Sequence, residues 1–333
     1  MFKRILSKYL LIWLTLVCVL AFYWPSLFGE NAFNPFFVKD PNVRKNLMSG
    51  MIAATMLAVG SLLPYDEVKA VAKRWHKTLS VTAIQYISMP LLAFCVAKAL
   101  HLQGAAFTGV MMAGCVPGAM ASNVLTLAAR GNVSYSVGLT TTATLLSPIV
   151  VPLTLLLFLH QKGVDLDVAG IMINLLETVV APVVIGFILS RVWSFWKKNA
   201  DRFAEIVANL VIIWIISSVV AQNAHNVAKL TPALISAMLL LNFGGYLAGY
   251  FGGKAVGLDE GMRRALTIEV GMQNAGFGTV LATRFFPDQP EAALFCASYT
   301  FGCMFTGIIL AQAFRIGSER KEKEEETKEA GAN

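Results

Sequence analysis

Apolar residues in this chain run in long stretches of about 20 residues, and short polar segments separate one stretch from the next. A helix that crosses the hydrocarbon of a bilayer needs about 20 mostly apolar residues. The pattern therefore predicts an all-α membrane protein with about ten transmembrane helices. The predicted spans are Leu6–Leu27, Leu47–Leu63, Thr78–Leu100, Ala105–Ala129, Val133–Leu159, Val168–Trp193, Ala204–Gln222, Pro232–Val256, Met262–Arg284 and Glu291–Ile316.

The composition supports lipid as the solvent of this chain. Of its 333 residues, 56% are hydrophobic and 14% are charged, whereas about 25% of residues are charged in soluble domains. The basic start and apolar middle of the first stretch fit a signal peptide, but the run continues to Trp24-Pro25 without a small-x-small cleavage site, so we predict a span. The five cysteines form no CxxC pair or metal spacing, so neither disulfides nor a zinc site is expected.

The net charge of +7 follows the membrane and does not indicate nucleic acid binding. With the N-terminus in the cytoplasm, the inside segments carry about 20 Lys and Arg and the outside segments about 7, as the positive-inside rule expects. This asymmetry predicts a multi-pass protein of the inner (plasma) membrane with both termini in the cytoplasm. The mixed-charge tail from Ser318 has no apolar face, so it is predicted to be a solvated, disordered or fraying helical end.

The loop Gln161–Asp167 divides the predicted spans into five and five. Because five is odd, the second half must enter the membrane with the opposite orientation, which is the arrangement of an inverted-repeat transporter. The predicted units are a first five-helix repeat over residues 1–160, an inverted second repeat over 161–316, and a charged cytoplasmic tail over 317–333.

The fourth span of each half is polar and helix-breaking near its centre. Gly114–Asn123 reads GCVPGAMASN, and Glu269–Gly278 reads EVGMQNAGFG. Lipid offers no hydrogen bonds, so backbone opened by these residues must be satisfied by protein, water or a bound ion. Corresponding breaks in two halves indicate a substrate site at the repeat interface. Glycines that merely let helices pack closely are the alternative, but packing does not require the polar residues beside the breaks.

Two carboxylates lie inside predicted spans. An ionised carboxylate at the centre of a span costs at least about 2.5 kcal/mol, so Glu269 needs a cavity and a partner. No basic residue lies at comparable depth in any predicted span. A bound cation or a proton is therefore expected to neutralise Glu269, and a protonated side chain satisfied by neighbours stays open. The second carboxylate, Glu177 in the sixth predicted span, either takes a direct part in ion coupling or has no part in it.

Further oxygen ligands are available on the third and fifth spans. Ser136 and Thr140 are four residues apart, so both hydroxyls lie on one face of a helix. Hydroxyls at this spacing also bond back to their own helix, and their sequence alone does not decide between the two roles. Gln85 is an amide ahead of Pro90 that serves either as a packing contact or as a ligand.

Four motifs carry a resemblance to a known family. They are Pro117-Gly118, Ala121-Ser122-Asn123-Val124, Gly131-Asn132-Val133 and the string Glu-Val-Gly-Met-Gln-Asn at 269–274. Together they resemble the bile acid:sodium symporter family over nearly the whole chain, and bacterial pantoate-transporter-like members in particular. The resemblance implies two inverted five-helix repeats. It also implies a core of spans three to five and eight to ten, a panel of spans one, two, six and seven, and two broken helices that cross.

The resemblance also implies roles for matching residues. One sodium would be surrounded by Ser122, Asn123, Ser136, Thr140 and Glu269. A second sodium would be surrounded by Gln85, Glu269, Val270, Met272 and Gln273, partly through backbone carbonyls. Asn274 would face the substrate. Many relatives have Gly-Thr where this chain has Ala119-Met120, and bacterial relatives often have His-Asn where it has Tyr299-Thr300, so Met120, Tyr299 and Thr300 are further candidates for substrate contact.

The sequence thus predicts a secondary active transporter that couples Na⁺ to a small organic anion by alternating access. The resemblance implies a carboxylate such as pantoate, pyruvate or a bile-acid-like compound. Proton coupling through Glu269, and a membrane sensor or channel, stay open as alternatives. No His-Glu-x-x-His, Gly-x-Ser-x-Gly or membrane aspartate pair is present, and the four histidines lie at loops or span ends, so neither an enzyme nor a transition-metal site is expected.

Overall fold

The computed structural model describes residues 9–29, 33–73, 75–159, 166–225 and 231–332. Nearly all of these residues are helical, and none of them forms a β-strand beyond a single isolated bridge. A π-helical turn, Leu176–Val180, joins two of the helices. The α-helices are α1 Leu10–Phe28, α2 Pro41–Leu62, α3 Tyr65–Lys73, α4 Trp75–Ala99, α5 Gly104–Cys115, α6 Ala121–Ala128, α7 Val133–Leu159, α8 Val168–Leu175, α9 Ala181–Val192, α10 Ser194–Gln222, α11 Pro232–Ala255, α12 Glu260–Gly271, α13 Ala275–Phe285 and α14 Pro290–Ala332.

Several helices are long and apolar enough to cross a membrane. By length and composition, six ranges in the described part of the chain qualify: Leu10–Phe28, Thr78–Ala99, Val133–Leu159, Val168–Val192, Pro232–Ala255 and Pro290–Arg320. Their large apolar side chains are widely exposed, as in Ile12, Leu91 and Ile149, which suits contact with lipid tails. The prediction of an all-α chain with several helices able to span a membrane is confirmed for the described residues. The fourth and ninth predicted spans fall outside the six because each is divided into two short helices.

Two helices extend beyond the predicted boundaries. α2 begins at Pro41 instead of Leu47, since the Asp40 carboxylate accepts hydrogen bonds from the next backbone amides and proline suits a first helical turn. α14 continues to Ala332, so the tail is a helical extension whose Glu319 pairs with Arg130 at 3.4 Å. The predicted start of the first span, Leu6, lies outside the described residues.

The helices pack as two groups. In the first group, α2 lies against α9 and α10, and α10 lies against α1. In the second group, α12 packs against α11, α6 and α7, while α14 packs against α5 and α13. Within the first group α2 and α9 approach closely, because a Cβ at Gly60 would run into the backbone of Val183. The first group is therefore a tightly packed unit beside the larger second group.

Candidate functional site

Both segments with predicted helix breaks are interrupted in the structure. α5 ends at Cys115 and α6 begins at Ala121, while α12 ends at Gly271 and α13 begins at Ala275. Proline has no backbone N–H to donate within a helix, and glycine destabilises a helix interior. Continuing a helix through Pro117-Gly118 would therefore cost free energy. The predicted interruptions are confirmed.

The two interrupted segments cross and pair with each other. Gly118 and Gln273 form an antiparallel bridge. The amide of Ala119 donates to the carbonyl of Met272 at 2.8 Å, and the amide of Asn274 donates to the carbonyl of Pro117 at 2.8 Å. Each break thus supplies partners for the other, which satisfies backbone groups that lipid would leave unbonded.

Glu269 lies at this crossing and is fully buried, with 0% of its surface exposed. Its Oε2 accepts a hydrogen bond from the Ser122 hydroxyl at 2.5 Å and lies 2.7 Å from the Thr140 hydroxyl. Its Oε1 is buried without any hydrogen-bond partner. A Cβ at Gly118 would meet this oxygen, so glycine is needed where the first break passes the carboxylate. One oxygen of this buried carboxylate therefore has no hydrogen-bond donor.

Other members of the first predicted ligand set lie around the same carboxylate. The hydroxyl of Thr140 is also 3.1 Å from the carbonyl of Ser136, one turn earlier in α7. The Ser136 hydroxyl is fully buried and lies 3.2 Å from the hydroxyl of Thr126. Asn123 Oδ1 is buried and unpartnered, like Glu269 Oε1. The structure therefore brings the hydroxyls of Ser122 and Thr140 to Glu269, and it leaves one oxygen each of Glu269 and Asn123 without a hydrogen-bond donor.

The second predicted ligand set is also buried, but its polar groups bond to one another. Gln273 Nε2 donates to the carbonyl of Val270 at 2.6 Å, and Gln85 Nε2 donates to Gln273 Oε1 at 3.4 Å. The carbonyl of Met272 already accepts from the opposite break. These groups adjoin Glu269 through α12, so the two ligand sets share one stretch of chain.

No cationic side chain in the described ranges lies within ion-pair distance of Glu269. In the same ranges, no cluster of three His, Cys, Asp or Glu residues has the arrangement of a metal site. The oxygens around Glu269 are carboxylate, amide and hydroxyl groups, which suit a hard cation better than a transition metal. A monovalent cation bound at Glu269 Oε1 would complete this unpartnered oxygen and balance the buried charge.

The four residues predicted to contact the substrate have different surroundings in the structure. Met120 lines a narrow crevice together with Val59, Leu63, Thr140, Thr141, Thr144 and Val183. Asn274 caps α13 by accepting from the amide of Phe277 at 3.1 Å. Tyr299 is fully buried and Thr300 bonds to its own helix, so contact of these two residues with substrate remains a prediction.

Comparison with known proteins places this site in a family. Residues 49–230 match the Sodium Bile acid symporter family. The chain belongs to this family. The resemblance drawn from the motifs is therefore confirmed, and since the family consists of sodium-coupled transporters, the expectation that the chain is not an enzyme is confirmed with it.

Relatives in the sodium bile acid symporter family cover most of the chain. The chain is 34% identical over 301 residues to the "Uncharacterized sodium-dependent transporter YocS" of Bacillus subtilis, covering 90% of this chain and 88% of the relative. It is 31% identical to the "Probable sodium/metabolite cotransporter BASS1, chloroplastic" of Arabidopsis thaliana, covering 93% and 74%. It is 29% identical to the "Hepatic sodium/bile acid cotransporter" of Homo sapiens, covering 90% of each.

Sequence reasoning missed a polar network beside the second break of this symporter-family chain. The carbonyl of Gly271 accepts from Asn242 Nδ2 at 2.8 Å and from the Tyr299 hydroxyl at 3.1 Å. Asn242 Oδ1 accepts from Thr306 at 2.5 Å, and Thr306 lies 3.1 Å from the Tyr246 hydroxyl. Asn242 was visible as an isolated amide in the eighth predicted span, but its partners lie far away in sequence.

Glu177 is separate from the crossing. It lies in the π-helical turn, and its side chain is exposed. The exposed residues one turn away, Ile173 and Ala181, are apolar. Nothing in the structure brings Glu177 to the ligand sets, so its role stays open.

Proposed function

We propose that the chain is a secondary active transporter that couples Na⁺ to the uptake of a small organic anion. The observation that carries this proposal is Glu269 Oε1, a buried carboxylate oxygen without a partner at the crossing of two broken helices. A buried charge left uncompensated is costly. A captured cation supplies the missing charge and the missing contact at once.

The first sodium would bind between α6, α7 and α12. Glu269 Oε1 and Asn123 Oδ1 are free to coordinate it, and hydroxyls of Ser122, Ser136 and Thr140 are within the same cluster. Two hydroxyl groups already lie at Glu269 Oε2, so Oε1 is the carboxylate oxygen left for a cation. The relatives named as a sodium-dependent transporter and a sodium/metabolite cotransporter support sodium over a proton as the coupling ion.

A second sodium would bind where Gln85, Gln273, Val270 and Met272 surround the other side of Glu269. Its binding requires the Gln273 amide to turn from the Val270 carbonyl, so that oxygens replace the amide nitrogen. Sodium at either position would change the contacts that hold the two helix breaks together. That change couples ion binding to the shape of the crossing.

The proposed architecture is ten spans in two inverted repeats, 1–160 and 161–316, with the tail 317–333 and both termini in the cytoplasm of a plasma-membrane protein. The broken helices come from the fourth span of each half and pair antiparallel, as inverted repeats require. The first helix group corresponds to the panel and the second to the core.

The substrate would bind in the crevice between the two helix groups. Met120 precedes α6, and Asn274 caps α13. The N-terminal ends of helices attract anions. The relatives named as metabolite and bile acid cotransporters support a carboxylate substrate such as pantoate, pyruvate or a bile-acid-like compound. Rocking of the two groups would then expose the crevice to each side in turn.

Uptake into liposomes containing the purified protein tests this function. Labelled small carboxylates, first selected by thermal stabilisation with and without sodium, are offered with an inward sodium gradient or with choline at fixed pH. We expect saturable uptake that requires sodium. Uptake that follows a proton gradient in choline would identify the proton-coupled alternative, and flux that never saturates would identify a channel.

A further inference from the structure

Arg284 connects the two helix groups. It lies in the last turn of α13, in the second group, and its Nη1 donates to the Ser49 hydroxyl of α2, in the first group, at 2.8 Å. α13 also contacts α10 of the first group. The bond therefore spans the two bodies that move against each other in the proposed function, on which this inference rests.

The opposite end of α2 is arranged differently. Val59 and Leu63, near the end of α2, line the narrow crevice with Met120 and Val183. The two groups thus meet at the Ser49 end of α2 and leave a crevice near its Leu63 end. In the proposed topology the Ser49 end faces outside. In that topology the bond between Arg284 and Ser49 holds the two groups together on the outer side.

The charge of Arg284 is not balanced by any acid among the described residues. Among the described residues, no carboxylate lies within ion-pair distance of its guanidinium, and the ring of Phe285 is beside it with the centroid 5.8 Å away. A guanidinium stays charged and presents donors in a fork that matches a carboxylate. Lys45 precedes Ser49 by one turn of α2 and adds positive charge to this end.

We propose that Arg284 is the docking residue for the anionic substrate at the outer junction of the two helix groups, and that its bond to Ser49 is the latch that closes this junction. When the groups part on this side, the guanidinium loses Ser49 and receives the carboxylate. When they close, the Ser49 hydroxyl takes the bond back and the anion is released toward the crossing. This site is separate from the sodium ligands and from the substrate position at the broken helices.

Uptake kinetics at saturating sodium separate docking from latching. Arg284→Gln removes both functions, and we expect the KM for the anion to rise by about tenfold, as for the loss of one charge-assisted bond. Ser49→Ala removes only the latch and should not raise KM, while Arg284→Lys should retain most of the affinity. The control is Arg44→Gln, since Arg44 bonds to Gln222 within the first group. An unchanged KM in Arg284→Gln, or an equal rise in Ser49→Ala, would overturn the docking role.

Crosslinking tests the latch without relying on transport. In a Cys95→Ser background, which removes the exposed native thiol, the double variant Ser49→Cys, Arg284→Cys is treated with a short bifunctional thiol reagent. We expect linked peptides by mass spectrometry and a loss of uptake relative to each single variant. Absence of linked peptides would contradict the closed latch. If the wild type shows no sodium-dependent uptake but the link forms, the proposed function fails while the contact stands.

Discussion

The two faces of the helix crossing differ in how completely their polar groups are hydrogen-bonded. On the face toward the first break and α6, Glu269 Oε1 and Asn123 Oδ1 are buried without partners. On the face toward α11 and α14, the Gly271 carbonyl accepts from both Asn242 and Tyr299. A buried unsatisfied group costs about 1–3 kcal/mol. The first face therefore leaves polar groups unsatisfied, which the proposed sodium would complete, whereas the hydrogen bonds of the second face hold the broken segment in place.

Replacing the carboxylate at the incomplete face should have the largest effect. In Glu269→Gln we expect sodium-dependent uptake to fall by about a hundredfold or more, since the cation loses its counter-charge. Thermal stability without sodium should be equal or higher, because an uncompensated buried charge is gone, and added sodium should no longer raise the Tm. Uptake that keeps its sodium dependence in this variant would remove Glu269 from the mechanism.

Crowding the same oxygen should also reduce transport. In Gly118→Ala the new Cβ meets Glu269 Oε1, so we expect uptake to fall by about tenfold or more, as for an overpacked buried site. Gly50→Ala is the matched control, because a Cβ there meets nothing within 4 Å. Equal uptake by the two variants would show that the space beside Glu269 is not used.

Paired asparagine variants compare the two faces directly. Asn242→Ala should lower the free energy of unfolding by about 1–3 kcal/mol, because it leaves buried partners unsatisfied. Asn123→Ala should change it by less than about 0.5 kcal/mol without sodium, and should reduce the stabilisation that sodium provides. Thermal unfolding in detergent measures both. Similar losses in the two variants would mean that the faces do not differ.

Tyr299→Phe should have the smallest effect of these variants. It tests whether Tyr299 belongs to the fully hydrogen-bonded second face. The hydroxyl donates to a carbonyl that keeps Asn242 as a second donor, so we expect a loss of about 1 kcal/mol in stability and no change in the KM for the anion. If KM rises while the Tm is unchanged, Tyr299 contacts the substrate, as the family resemblance implied.

Local chemistry explains which parts of the site could be predicted. Pro117-Gly118 interrupts a helix in any surroundings, because proline has no backbone N–H. A carboxylate such as Glu269 inside an apolar stretch needs a compensating partner whichever way its side chain is directed. The partners themselves could not be predicted. Thr126 and Asn242 are ordinary polar residues in apolar stretches, and a hydroxyl in a helix can equally bond to its own backbone. The long helical continuation of α14 through the charged tail was likewise open, since composition alone allowed a frayed end.

By itself the sequence determined that the chain favours lipid as its solvent, where the helix-breaking segments lie, and that Glu269 needs compensation, because hydrophobicity, backbone chemistry and charge are properties of the residues alone. The tertiary structure decided that the two breaks lie antiparallel, that Glu269 Oε1 and Asn123 Oδ1 stay unpartnered while Gly271 is satisfied twice, and that Arg284 reaches Ser49. These facts depend on which distant residues are brought within about 3 Å of one another, and that distance is set by helix packing across the whole chain.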